Sequence, residues 1–243
     1  MNESALQQLM GTIPDPAKPD KALLWCIIVL EFKKLNPAVD AQVKLHRAFN
    51  ISYFGHMYTP LRQSGEAYIF HIVRASIRMM WRQEQLGINN LQALLYEVTH
   101  DCLEEAERSR RNRRLLESKI TRQLDAKTTY GTLTLTKHKE RGETNEEYFR
   151  RILKTEIWEV LWAKFEDRLD NIVTIHSMEK AKAITKIAET EYWFPQLKDR
   201  LKHLIEIEIK AGRLERSYRS LPNHLYQHLV TELRRQKQHL KLL

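Results

Sequence analysis

The stretch Ile157-Trp-Glu-Val-Leu-Trp-Ala-Lys-Phe-Glu-Asp-Arg-Leu-Asp-Asn-Ile-Val173 decides the fold class. Wound as an α-helix, it sets Ile157, Val160, Leu161, Phe165, Leu169, Ile172 and Val173 on or near one face, and no strand-like alternation competes. The same winding aligns Lys164, Asp167 and Asn171 in a polar stripe beside that apolar face. A strongly periodic helix with charge along one edge is therefore expected.

Upstream, Thr144-Asn-Glu-Glu147 is a capping-box pattern that opens another helical stretch. About residues 126–142 are rich in Thr, Gly, Lys and His and are expected to form a long exposed loop. Leu91, Leu94, Leu95 and Val98 give a buried helical stripe after the punctuation at Gly87-Ile-Asn-Asn90. Residues 21–35 read as a helix stopped before Pro37, and residues 39–56 as a second. Pro60 and Gly65 place a loop before the helix that carries His71. The Arg108 to Arg114 run, with five arginines, reads as a solvated face. Downstream, residues 178–243 are expected to form two or three helices broken near Pro195, at Gly212 and before Pro222. There is no internal repeat.

Composition agrees with an all-α protein. The 243 residues include only 7 Gly and 7 Pro amid many helix formers, and the length suits one substantial domain. The expected layout is a polar, Pro-containing leader over 1–20, a compact helical domain over 21–215, and a basic C-terminal helix over 216–243. Lys plus Arg (40) exceeds Asp plus Glu (31), giving a net charge of +9. Such a surplus suits nucleic acid, an anionic membrane surface or a small polyanion such as a nucleotide, and charge alone does not choose among them, while the basic end with Arg234, Arg235, Lys237 and Lys241 is read as solvated rather than as a nucleic-acid surface. Cys26 and Cys102 lack metal-type spacing, which argues against a disulfide framework. No apolar run reaches the roughly 20 residues a membrane span needs, and no basic n-region precedes residues 22–30, so a cytoplasmic location is expected.

The chemistry concentrates in His100-Asp-Cys-Leu-Glu-Glu105, where an imidazole and three carboxylates follow directly on the buried stripe. Asp101 and Glu105 repel each other at i, i+4, and a divalent cation would relieve both the repulsion and the burial of charge. Imidazole with carboxylate suits a borderline or hard divalent ion, and further ligands must come from elsewhere. Asp167 and His71 are the candidates. The other histidines, His56 among them, are assigned to surface or core, and the Trp and Tyr residues to packing.

Three segments, Arg62-Gln-Ser-Gly-Glu-Ala-Tyr-Ile-Phe-His71, His100-Asp-Cys-Leu-Glu-Glu105 and Lys164-Phe-Glu-Asp-Arg-Leu-Asp-Asn171, together resemble the signature of HD-domain alarmone hydrolases. These are the (p)ppGpp 3′-pyrophosphohydrolase domains of the RelA/SpoT homologues. The resemblance covers about residues 50–175, and no synthetase-like stretch follows, so the free-standing small hydrolases are the nearer comparison. It implies one Mn²⁺ ion held by His71, His100, Asp101 and Asp167. Glu104 and Glu105 would be the acidic pair that handles the attacking water, with Asn171 placing it. Arg62 would stack on the base, with Gln63, Ser64, Lys164 and Arg168 as further substrate contacts.

Three positions depart from the pattern: Gln63 replaces the usual Lys, Glu105 an Asp, and Asp170 a residue that is often His. An ungapped overlay of residues 93–101 would instead put Tyr96 and Glu97 at ligand positions and imply a dead or altered site. Tyr is a poor ligand for such a site, which favours the first overlay. Three functions stand side by side on these residues: an alarmone hydrolase acting on (p)ppGpp or ppApp, a related phosphohydrolase of another nucleotide such as NADPH, and a non-catalytic helical binder of nucleotide or nucleic acid.

Overall fold

A computed structural model of the chain describes residues 3–36, 38–108 and 112–242. All regular structure among them is helical. At the centre lies α10 (Trp158–Val173), buried along every residue except Asn171. It is enclosed by α4 (Ile69–Leu86), α5 (Leu91–Thr99), α11 (Lys180–Lys210) and α12 (Leu221–His239). A helix covered on all sides cannot leave its charges to solvent, so each must find a buried counterpart. Glu166, for example, takes Arg82 Nε at 2.7 Å and Trp162 Nε1 at 3.2 Å.

The outer elements extend this core. α2 (Lys21–Leu35) and α3 (Val39–His56) pack on α4 and α5 with the bounds the sequence suggests. α6 (Cys102–Arg108) and α7 (Arg113–Gln123) join Ile51 of α3 in a separate small cluster of Cys102, Leu103, Ala106, Leu116 and Ile120. α9 (Asn145–Leu153) opens with the expected capping box: Thr144 Oγ1 accepts from Glu147 N, and the Glu147 carboxylate accepts from Thr144 N at 2.8 Å. Of the Arg108 to Arg114 run, residues 109–111 lie outside the described residues, and Arg113 and Arg114 begin α7.

Two expectations need correction. Residues 126–142 are not one long loop, because Ala126–Leu135 form α8, followed by a 3-10 turn over Lys139–Arg141. Threonine is a poor helix former, but Asp125 caps this helix by accepting from Thr128 N, and the Thr132 and Thr136 hydroxyls donate back to carbonyls one turn earlier, at 2.9 and 2.8 Å. Gly131 lets α8 approach so closely that a Cβ there would collide with the Tyr96 ring. Pro195 does not break the chain either. α11 continues through it, with Trp193, Phe194 and Leu197 buried around the proline and holding the helix against the core. Within the leader, α1 (Glu3–Gly11) buries Leu6 and Met10 against the main cluster.

Candidate metal centre

Three elements converge on one point. His71 lies in the first turn of α4, His100 and Asp101 occupy the joint between α5 and α6, and Asp167 projects from α10. One donor atom from each of the four lies within 4.8 Å of all the others. His71 Nε2 stands 3.2 Å from Asp167 Oδ1, and His100 Nε2 stands 3.4 Å from Asp101 Oδ2 and 3.7 Å from Asp167 Oδ1. The two rings meet edge to face at 5.3 Å.

The residues fit a divalent cation by their hydrogen bonding as well as by their spacing. Each imidazole uses its inner nitrogen: His71 Nδ1 bonds Asp170 Oδ2 at 2.7 Å, and His100 Nδ1 bonds the Glu97 carbonyl at 2.6 Å. Both Nε2 atoms are buried without a hydrogen-bond partner, aimed at the two carboxylates. An imidazole anchored through one nitrogen with the other free is the usual arrangement of a metal-ligating histidine. Two imidazoles and two carboxylates suit a divalent transition ion.

The electrostatics point the same way. Burial works against ionised Asp167, but Lys164, with Nζ 2.6 Å from Oδ2, and the two histidines hold its carboxyl well below the ordinary range. Burial likewise opposes charge on His100, yet Asp101 and Glu97 push its pKa well above the usual value. The carboxylates thus favour a positive charge beside His100 Nε2, and a divalent cation would supply it.

The cluster opens into a chamber of about 220 Å³, and a cleft of about 650 Å³ adjoins it. Tyr68, Asn145, Asn171, Lys186 and Glu189 line both. Lys137, Lys139, Lys164, Arg168 and Lys186 contribute five cations to the chamber wall. Lys164 pairs with Asp167, Lys139 with Glu104, and Arg168 with Glu189 at 3.5 Å. Lys186 makes no ion pair with another described residue; burial and the neighbouring Arg168 bring its pKa down to about 8.

Most of the expected substrate and catalytic residues gather here. Arg62 lines the cleft, bonded to Asp170 at 3.1 Å and to Asn171 and Thr174 at 3.3 Å, with its guanidinium 5.6 Å from the centre of the Tyr68 ring. Asn171 donates to Asp167 Oδ1 at 2.6 Å. Gln63 also lines the cleft and accepts from Glu179 N at 3.3 Å. Glu104, Lys164 and Arg168 line the chamber. Glu105 and Ser64 do not: Glu105 is buried elsewhere in α6, and Ser64 is exposed in the turn where Gly65 takes a φ of 81°. Tyr96 and Glu97, the ligands of the alternative overlay, lie outside the four-residue cluster. Tyr96 donates to the Lys127 carbonyl, and Glu97 lies behind His100, with Oε1 3.6 Å from Nδ1.

Sequence reasoning missed several participants. Tyr68 donates to Asp101 Oδ2 at 2.7 Å, and His56 stacks on the Tyr68 ring at 5.0 Å. Burial drives the His56 pKa down to about 3, so the ring is neutral beside the cluster. Tyr68 was legible as part of the segment leading to His71, whereas nothing in the sequence around His56 marks it.

Fold and site together define an all-helical protein with a buried two-histidine, two-aspartate centre. No protein-family model matches the chain, and a search of curated proteins finds no relative.

Proposed function

We propose that this chain is a divalent-metal-dependent hydrolase of phosphorylated nucleotides, with the 3′-pyrophosphate of (p)ppGpp or ppApp as its substrate group. The observation that carries the proposal is the pair of unpartnered buried Nε2 atoms facing Asp101 and Asp167 at the mouth of a cation-walled chamber. A divalent ion held by His71, His100, Asp101 and Asp167 would polarise a phosphoryl oxygen and lower the pKa of water. The protein's own groups have separate tasks. Lys137, Lys139, Arg168 and Lys186 would bind the non-bridging oxygens of the pyrophosphate. Glu104 would accept the proton of the attacking water, and Asn171, braced by Asp167 and Arg62, would orient that water. Arg62, fixed by Asp170, would offer its exposed face to the base in the wider cleft. Water would then add to phosphorus, the bond to the 3′ oxygen would break with its electron pair going to that oxygen, which takes up the proton held by Glu104, and pyrophosphate and the 3′-hydroxyl nucleotide would leave.

One observation favours a related substrate instead. Gln63 is neutral and bonds the backbone at Glu179, so it supplies no charge to the cleft. A nucleotide other than an alarmone, NADPH for example, would use the same centre.

The test is phosphate and pyrophosphate release from ppGpp, ppApp and NADPH by metal-stripped protein with and without Mn²⁺, with Asp101→Ala as control. Mn²⁺-dependent release from an alarmone that is lost in the variant is the expected result. Turnover of NADPH alone would shift the assignment to the second substrate, and a lack of turnover in all arms would refute both.

A further inference from the structure

Asp170 is fully buried on α10, one turn beyond Asp167, and it carries an unusual load. Its Oδ1 accepts from Arg74 Nε at 2.8 Å and Arg78 Nη1 at 2.7 Å. Its Oδ2 accepts from His71 Nδ1 at 2.7 Å, Arg74 Nη2 at 3.0 Å and Arg62 Nη1 at 3.1 Å. Balancing one buried carboxylate requires one cation, and three guanidiniums exceed that need. Glu66 answers part of the excess by binding Arg74 at 2.6 and 2.7 Å. This many donors on a single carboxylate fixes both the charge and the position of Asp170.

We infer that Asp170 is the positioning residue of the metal centre: its Oδ2 holds the proton of His71 on Nδ1 and thereby presents the Nε2 lone pair to the ion. The inference rests on the metal-centre reading above and adds to it a residue outside the four ligands. The tautomer of a ligating histidine is set by the bond its other nitrogen makes. Since every neighbour of Asp170 is a donor, His71 Nδ1 included, the carboxylate is the acceptor that aligns the ring. Three of those donors are fixed guanidiniums, so the carboxylate cannot turn away. Arg62, which reaches the cleft, shares the same oxygen, and this places the cleft and the metal ligand on one hydrogen-bonded assembly.

Asp170→Asn tests this because the amide keeps the shape but has one acceptor instead of two. Guanidinium donors lie on both oxygens and compete for the single amide acceptor, and the amide lacks the negative charge that draws a proton onto His71 Nδ1, so the hold on that proton weakens whichever way the amide turns. The expected result is a Mn²⁺ affinity about 10- to 100-fold weaker, measured by calorimetry on folded protein. Arg78→Lys keeps a cation beside the opposite oxygen and leaves the Oδ2 bond to His71 in place, so it is expected to lower the melting temperature while weakening Mn²⁺ affinity less than Asp170→Asn does. Nitrogen NMR of the wild-type protein, held metal-free by a chelator, is expected to show His71 protonated at Nδ1. This readout also decides the matter if Asp170→Asn fails to fold. Wild-type Mn²⁺ affinity in Asp170→Asn, or a wild-type His71 with no proton on Nδ1, would overturn the assignment alone. A wild-type chain that binds no Mn²⁺ would instead overturn the metal centre itself.

Discussion

Lys164→Met removes the cation from a buried ion pair of the site. Lys164 Nζ lies 2.6 Å from Asp167 Oδ2, with both side chains at most one-tenth exposed, over the Tyr148 ring at 5.0 Å. Methionine keeps most of the packing against Tyr148 and Phe149 but leaves Asp167 without its nearest positive charge. Breaking a buried pair from one side costs about 3–5 kcal/mol. At roughly 2–4 °C per kcal/mol for a chain of this size, metal-free variant should melt roughly 6–20 °C below wild type. A divalent ion at 100 times its dissociation constant stabilises the wild type by about 2.7 kcal/mol. The variant should gain more, because the ion takes over the work of Lys164 on the same carboxylate. Calorimetric melting in chelator and in Mn²⁺ should therefore show a large gap between the two proteins that narrows with metal. A gap that stays constant or widens in Mn²⁺ would mean that Asp167 does not face the ion, and a gap near zero in chelator would mean that the pair is not a stabilising contact.

Three further outcomes are expected. Gly131→Ala gains about 1 kcal/mol of helix propensity but overpacks Tyr96 at a cost of roughly 1–3 kcal/mol, so the melting temperature should fall; a rise would contradict the close contact of α8 with α5. Lys186→Met should weaken binding of inorganic pyrophosphate with little change in melting temperature, since Nζ has no ion pair with another described residue to lose. The sign with pH follows from the pKa of about 8: protonated Lys186 attracts the anion, so wild-type affinity should drop as pH rises through that value, and the variant should lack this step. Thr144→Ala should cost about 1 kcal/mol through loss of the α9 capping box while leaving Mn²⁺ affinity unchanged, as measured by melting and calorimetry.

The sequence was most legible where a single local rule acts. The apolar periodicity of α10, the stop before Pro37 and the Thr144 to Glu147 capping box depend on neighbours in the chain, and the structure follows them. The segment around Thr128 to Thr136 misled because the burial that stabilises a threonine-rich helix comes from α5 and α7, which local composition does not register. Pro195 misled for the same reason: the core contacts of Trp193, Phe194 and Leu197 outweigh the missing hydrogen bond. In the site, His100 and Asp101 stood out because charge follows directly on the buried stripe of α5, and the three-segment pattern joined His71 and Asp167 to them. His56 and Tyr68 were missed because an isolated aromatic or histidine looks like packing until the fold brings it beside Asp101.

The joint between α5 and α6 carries His100 and Asp101, and the helices on either side of it belong to different cores. α5 is part of the large cluster with His71 and Asp167 at its edge, whereas α6 packs with α7 and Ile51 in the small one. A cation bound by all four residues would act as a rivet through that seam, fastening the minor layer to the main body. Its strength would then appear at a distance from the ligands, in the amide exchange of α6 and α7, where opening the small cluster would pull Asp101 off the ion before the rest of the molecule has moved.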